Sequence, residues 1–286
     1  MAIPVTTPAG RVVGTTLANG VQRFAGIPYA APPVGPRRFR AATPAEGWPG
    51  VRDASSFGAV CPQQPSPLDL LLSGKPENQS EDCLVLNVWT PGCDGAGRPV
   101  LVWIHGGAFI QGSGSSPVYD GSRLAARGDV VVVTINYRLG EFGWLKLDDL
   151  GEEFAGSANN GLTDQVLALR WVRDSIAAFG GDPARVTVFG ESAGAMSIAA
   201  LLGAASARGL FQRAITQSGA ANVHLTGSAA ASVTAEYCNR AGVSHPGDLL
   251  DLPVERLLAT QAAMAAATYV DFDSSVSSDR DRKSVV

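Results

Sequence analysis

The stretch Val186-Thr187-Val188-Phe189-Gly190-Glu191-Ser192-Ala193-Gly194-Ala195-Met196 constrains this chain more than any other. An apolar, β-branched run feeds into Gly-x-Ser-x-Gly, and small helix-forming residues follow. That order predicts a buried strand, a sharp turn carrying Ser192, and a helix, the arrangement called a nucleophile elbow. Glycines at 190 and 194 are required in such a turn, because the backbone segments approach too closely for side chains and the dihedrals are strained. The five motif residues alone carry little information. The strand before them and the helix after them give the motif its meaning.

The 286 residues fit one large domain or two small ones. Net charge is −4 with no dense basic block, so neither nucleic acid nor an anionic membrane is indicated as a partner. No window reaches the roughly 18 consecutive apolar residues of an ordinary transmembrane helix. The segment Met1-Ala2-Ile3-Pro4-Val5-Thr6-Thr7 has no charged n-region and no apolar h-region, so no signal peptide is visible and a cytoplasmic location is expected. The four cysteines, Cys61, Cys83, Cys93 and Cys238, are too few and too scattered for a disulfide scaffold or a zinc site. Neither a metal nor a cofactor is expected.

Along the chain, residues 1–60 read as short strands broken by Gly and Pro. A hairpin is expected where Val12-Val13-Gly14 and Val21-Gln22-Arg23-Phe24 flank Ala18-Asn19-Gly20. The Pro-rich segment from Gly26 to Gly35 is expected to be an ordered surface loop. Residues 62–82 form a loop with Leu70, Leu71 and Leu72 in its middle, bracketed by Cys61 and Cys83. Those two thiols either bridge and close the loop or stay buried and free, and a reducing compartment favours the second. Residues 84–90, 100–104 and 130–135 are apolar strands, the last two buried on both faces. Leu162, Val166, Leu169, Val172 and Ile176 recur at helical spacing over 162–179, which Gly180-Gly181-Asp182-Pro183 ends. A helix to about Leu202, a strand at Arg213–Gln217 and an Ala-rich helical stretch over 229–267, interrupted at Ser244-His245-Pro246-Gly247, complete the pattern. Buried strands alternating with helices indicate an α/β fold with a parallel sheet.

A serine that accepts an acyl group needs a base for its proton and donors for the oxyanion formed at the attacked carbonyl. Directly after the strand 100–104 comes His105-Gly106-Gly107-Ala108-Phe109, a glycine-rich loop of the kind that supplies such donors beside an elbow. The backbone N–H groups of Gly107 and Ala108, together with that of Ala193, are the candidate oxyanion hole. His105 precedes the serine and sits in the loop itself, so it is read with Gly106 as a support of that loop rather than as the base. Glu191 adjoins the nucleophile but points away in a tight turn, and is read as a buried carboxylate paired with a local arginine or amide.

The blocks Phe24–Ala30, Glu81–Val88, Val102–Phe109, Asn136–Gly140, Asp164-Gln165 with Ala168–Val172, and Phe179–Ser197 together resemble the type-B carboxylesterases, the α/β-hydrolase branch that includes the cholinesterases. The resemblance spans roughly residues 5–265. It implies an α/β-hydrolase fold with a mostly parallel central sheet, N-terminal antiparallel strands, and a domain over 1–270. It implies a small-molecule carboxylic ester as substrate, Ser192 as the acylated nucleophile, and Gly107, Ala108 and Ala193 as oxyanion donors. Cys61 and Cys83 match a pair that is disulfide-bonded in secreted members. Choline-binding members carry a tryptophan in the intervening loop and this chain has none there, so choline esters are not the expected substrate.

The chain departs from the family in one respect that bears on chemistry. Family members run to nearly twice this length, with a triad in the order serine, acid, histidine whose last two members lie later than residue 286. After Ser192 the only histidines are His224 and His245. No carboxylate separates Ser192 from His224, and only Glu236 precedes His245. Residues 271–286 turn polar and are expected to be a disordered tail. The missing later strands leave Arg213–Gln217 as an uncovered sheet edge, through which self-association is expected. Two functions follow: a serine ester hydrolase, or a catalytically impaired or purely binding version of the same fold.

Overall fold

The computed structural model describes residues 4–65, 77–221 and 224–278. Leu70, Leu71 and Leu72 lie outside the described residues. Near the N-terminus, β1 (Val5–Thr7) pairs antiparallel with β2 (Gly10–Val13). β3 (Thr15–Thr16) pairs antiparallel with β4 (Gln22–Pro28) across the Ala18-Asn19-Gly20 turn, closed by a Leu17–Val21 backbone bond of 2.8 Å, so the first arm of the hairpin is Thr15–Thr16 rather than the expected Val12-Val13-Gly14, whose valines lie in β2. β5 (Val51–Asp53) joins β2 in parallel and completes a small sheet, β1-β2-β5.

The main sheet adds β6 (Val85–Thr90), β7 (Arg98–Ile104), β8 (Val131–Ile135), β9 (Gly181–Glu191) and β10 (Arg213–Gln217), in the order β10-β9-β7-β8-β6-β4-β3. It is mixed: β3, β4, β6 and β8 pair antiparallel in turn, whereas β8, β7, β9 and β10 run parallel. The parallel half carries the elbow. Every residue of β8 is buried, as five consecutive apolar or β-branched residues covered on both faces require. β9 is longer than its apolar run because Gly181–Arg185, with Pro183, extends it through a register shift against β7. β10 is outermost among the described residues, and all five of its residues are exposed, as the sequence reading expected of an uncovered edge.

Helices α1 (Ser122–Gly128), α2 (Gly140–Trp144), α3 (Asn160–Ser175) and α4 (Ala193–Gly203) connect and cover these strands. The expected stripe on α3 is realised, with Val166, Leu169, Val172 and Ile176 buried and Leu162 half-buried. The last turn of that segment, Ile176–Phe179, tightens to a 3₁₀ helix and ends at Gly180 with φ +77°. A side chain there would lie 2.2 Å from the Gly92 carbonyl. α5 (Gly227–Ala241) and α6 (Val254–Ser278) flank a 3₁₀ turn at Pro246–Asp251 and share a second core with Phe39, Phe142, Leu147 and Phe154. Arg38 ties this part to the N-terminal region, donating to the carbonyls of Leu250 and Leu252 at 2.7 Å each while pairing with Glu81. The segment expected to be a tail from Asp271 is helical as far as Ser278, and residues 279–286 lie outside the described residues.

Cys61 and Cys83 are buried free thiols in contact with each other. The hydrogen bond that the Cys83 thiol donates to Cys61, together with burial, holds it well above its ordinary range, which keeps it protonated and unreactive. Next to them, Arg138 and Asp164 form a fully buried pair, with bonds of 2.8 and 2.7 Å between guanidinium and carboxylate and a further 2.6 Å bond from Arg138 to the Arg40 carbonyl. This joins the chain leaving β8 to α3. Asp164→Asn leaves the guanidinium buried without its counter-charge, and a loss of about 3–5 kcal/mol is expected. Urea unfolding measures it, and a midpoint equal to that of the parent chain would show the pair to be dispensable.

Candidate active site

Ser192 occupies the turn between β9 and α4 with φ +53° and ψ −120°, a conformation that ordinary residues rarely adopt and that costs of order 1–3 kcal/mol. The surroundings hold it there. Its N–H donates to the Gln217 carbonyl at the end of β10 at 2.8 Å, and its carbonyl accepts from Met196 at 2.9 Å. The flanking glycines are required for the reason expected from sequence. A Cβ on Gly194 would fall 2.0 Å from the Ile104 carbonyl oxygen, and one on Gly190 would fall 2.7 Å from that same atom. The first turn of α4 therefore rests on the C-terminal end of β7.

The loop following β7 lies against the serine. A Cβ on Gly106 would sit 3.3 Å from the Ser192 Cβ and 2.8 Å from the Glu191 carbonyl. Gly107, Ala108 and Phe109 then take φ of +112°, +53° and +61° in succession. Three consecutive residues of this kind make a tight, strained turn. The carbonyl of Gly107 accepts from Ile110 and Gln111 at 3.0 Å each, closing the turn on its other side. Ala193 is the first residue of α4, where a backbone N–H has no acceptor within its own helix. Gly107, Ala108 and Ala193 thus lie on the two backbone segments that flank Ser192.

His105 packs within the loop. Its ring is buried, stacks on Tyr137 with centroids 4.4 Å apart, and makes a 2.8 Å contact to the Gly106 carbonyl through Nδ1. The Tyr137 hydroxyl donates to the His105 carbonyl at 2.7 Å. Burial lowers the imidazole pKa to about 4, so His105 is neutral at ordinary pH. Glu191 differs from expectation. Among the described residues no arginine pairs with it, and its carboxylate instead lies beside the α-carbon of Gly106, where only a glycine leaves room.

The two histidines that follow Ser192 in the chain, of which His245 is the only candidate base, are not brought to it. His245 is exposed and caps the turn Pro246–Asp251, with Nδ1 accepting from Gly247 at 3.0 Å and the His245 N–H donating to Asp248. Glu236, the carboxylate preceding it, pairs with Arg240 one helical turn away. His224 is also exposed. Among the described residues, neither histidine has a hydrogen bond to Ser192.

Residues 2–272 match the model of the carboxylesterase family. The chain belongs to that family. It is 55% identical over 240 residues to the para-nitrobenzyl esterase of Bacillus subtilis, a match covering 84% of this chain and 48% of the relative. It is 51% identical over 227 residues to carboxylesterase 3 of Homo sapiens, covering 75% of this chain and 39% of that one. The solved carboxylesterase of Geobacillus stearothermophilus superposes with a TM-score of 0.84 at 50% identity, over 91% of this chain and 53% of the other. The fold of this carboxylesterase-family chain is thus that of the α/β-hydrolases, and the chain spans about half the length of the relatives it matches.

Glu141 escaped notice in the sequence, although a lone carboxylate in Leu139-Gly140-Glu141-Phe142-Gly143-Trp144-Leu145 is a visible anomaly. It lies on α2, one residue after Gly140, whose N–H donates to the Phe109 carbonyl of the glycine-rich turn at 2.8 Å. Glu141 is buried and neither carboxylate oxygen has a hydrogen-bond partner of good geometry. Burial raises its pKa to about 7, only partly offset by its own backbone N–H and the nearby Tyr237 hydroxyl. The folded protein therefore binds this proton more tightly than the unfolded chain. The resulting stability is fully present below about pH 4.5 and is lost as pH rises to about 7. Glu141→Gln is expected to flatten that dependence and to stabilise the chain at pH 8 by a few kcal/mol, at about 1.4 kcal/mol per pH unit separating the two pKa values. Thermal unfolding of both proteins between pH 5 and 8 measures this, and parallel curves would refute it.

Proposed function

We propose that this chain contributes the nucleophile and the oxyanion hole of a serine carboxylic-ester hydrolase. The observation that carries the proposal is the contact of Gly106, the residue leading into the strained Gly107-Ala108-Phe109 turn, with the strained turn that bears Ser192. In this reading the Ser192 Oγ attacks the ester carbonyl carbon. The carbonyl electron pair moves to oxygen, and that oxyanion accepts hydrogen bonds from the N–H groups of Gly107, Ala108 and Ala193. Collapse breaks the bond to the alcohol, which leaves with a proton supplied by the base. Water then attacks the acyl-serine and releases the carboxylic acid. No cofactor enters these steps.

The base and acid are assigned to polypeptide corresponding to the half of the relatives that these residues do not span. A small-molecule carboxylic ester is the proposed substrate. The second reading is a chain impaired in catalysis when on its own, and it is favoured by the engagement of His245 and Glu236 in structural contacts away from Ser192.

Fluorophosphonate labelling and hydrolysis of a short p-nitrophenyl ester by the 286-residue chain test both. Labelling abolished by Ser192→Ala identifies the nucleophile, and folded protein that neither labels nor hydrolyses would leave only the second reading. Gly106→Ala forces a methyl group against the Glu191 carbonyl, and labelling about a hundredfold slower is expected. Labelling at the parent rate would show that the loop does not act with the serine.

A further inference from the structure

We infer that Gln63 is a positioning residue for the oxyanion-binding turn, an inference that rests on the reading of Ser192 as an acyl-accepting nucleophile. Gln63 lies two residues after Cys61, at the start of the loop before β6, and is buried. Its side-chain amide pairs with both backbone groups of Gly112. Oε1 accepts from the Gly112 N–H at 2.7 Å, and Nε2 donates to the Gly112 carbonyl at 3.1 Å. The second Nε2 proton goes to the Cys61 carbonyl at 3.0 Å. The backbone N–H of Gln63 donates to Gln79 Oε1 at 3.0 Å. Reversing the amide would set its NH₂ against the Gly112 N–H, so the surrounding bonds define its orientation. A side chain here does for Gly112 what a neighbouring strand would do.

Gly112 is where the turn that begins at His105 folds back on itself. With φ +105°, it approaches so closely that a Cβ would lie 2.6 Å from the His105 ring and 2.7 Å from the Gly106 carbonyl. Gly106 in turn lies against Ser192. A path of packed backbone therefore leads from the Gln63 amide through Gly112 and Gly106 to the nucleophile. From Gly114 onward other side chains take over. Asn136 accepts from the Gly114 N–H at 2.8 Å, Thr134 donates to its carbonyl at 2.6 Å, and Glu77 accepts from Ser113 and Ser115. Gly112 depends on Gln63 alone among these side chains, so removing the amide frees the strained turn without loosening the chain beyond it. Backbone at three successive positive φ relaxes once it is not held, and the donors then no longer point at one place.

The test uses the 286-residue chain with two substitutions. Gln63→Met keeps the length and removes every polar atom, and Gln63→Glu keeps the acceptor for Gly112 but loses both donors. Two measurements are made: backbone hydrogen exchange, and fluorophosphonate labelling resolved into a maximal rate and a half-saturating concentration. Gln63→Met is expected to speed exchange over 105–112 tenfold or more while exchange over 131–135 stays unchanged. Its maximal labelling rate should fall about 10- to 100-fold with half-saturation within twofold, because the displaced donors act on developing charge rather than on probe binding. Gln63→Glu should fall between Gln63→Met and the parent. Parent-like exchange over 105–112, a labelling rate unchanged by Gln63→Met, or a loss expressed wholly in half-saturation would overturn the inference. Absence of labelling in the parent would count against the proposed function, and exchange would then decide the role of Gln63 by itself. If Gln63→Met does not fold, Gln63→Glu decides it by the same exchange criterion.

Discussion

The contact between the first turn of α4 and the end of β7 is the constraint on which the rest of the site depends. The Ile104 carbonyl oxygen stands 2.0 Å from where a side chain at 194 would begin and 2.7 Å from where one at 190 would begin. Two glycines thus let helix and strand approach to backbone contact. Because β7 continues into His105-Gly106-Gly107, that approach also brings the glycine-rich turn to the serine. One strand end therefore supports the Ser192 turn and leads directly into the glycine-rich turn beside it. β7 is held on both edges by parallel ladders to β8 and β9, so its end is firmly placed. The strained dihedrals at Ser192, Ala108 and Phe109 persist because this frame leaves no alternative.

What was legible in the sequence follows from how locally each feature is specified. The elbow and the glycine-rich loop could be read because steric demands at Gly190, Gly194, Gly106 and Gly107 act on the residue type itself. The strands at 100–104 and 131–135 could be read because burial on both faces demands unbroken apolar runs. The antiparallel pairing of β6 with β8 could not, since an apolar run reads alike in either direction. Neither the local arginine nor the amide expected for Glu191 is found among the described residues, because a carboxylate beside a glycine can be accommodated by space rather than by charge. Gln63 was missed for a different reason. Its partner is 49 residues away, and a glutamine in a polar loop carries no periodicity that would mark it as buried. Glu141 was missed because the family-like block around Arg138 ends at Gly140, and a single carboxylate in an apolar stretch carries no spacing signal.

Buried polar side chains do much of the work that strands do elsewhere in this fold. Asn87 accepts from the Gly26 N–H and donates to Thr134, and Thr134 and Asn136 bind the two backbone groups of Gly114. Tyr29 donates to the Asn136 carbonyl at 2.7 Å. The segment from Gly112 to Ser116 has no strand partner, so unsatisfied backbone groups there would be costly in a buried setting. Side-chain amides and hydroxyls satisfy them at fixed distances, which gives an irregular segment the definition of a ladder. This explains how an irregular turn can be held in one conformation without belonging to a helix or a strand.

The elbow is less evenly supported on its other side. The Ser192 N–H bonds to Gln217, the last residue of β10, and β10 is a parallel strand held through β9 alone among the described residues. Its five residues are exposed, with Ile215 presenting about half its surface to solvent. Edge strands open more readily than central ones, and each opening of β10 releases the bond that fixes the serine amide. The order of β10 and the geometry of the elbow are coupled through the Gln217 carbonyl.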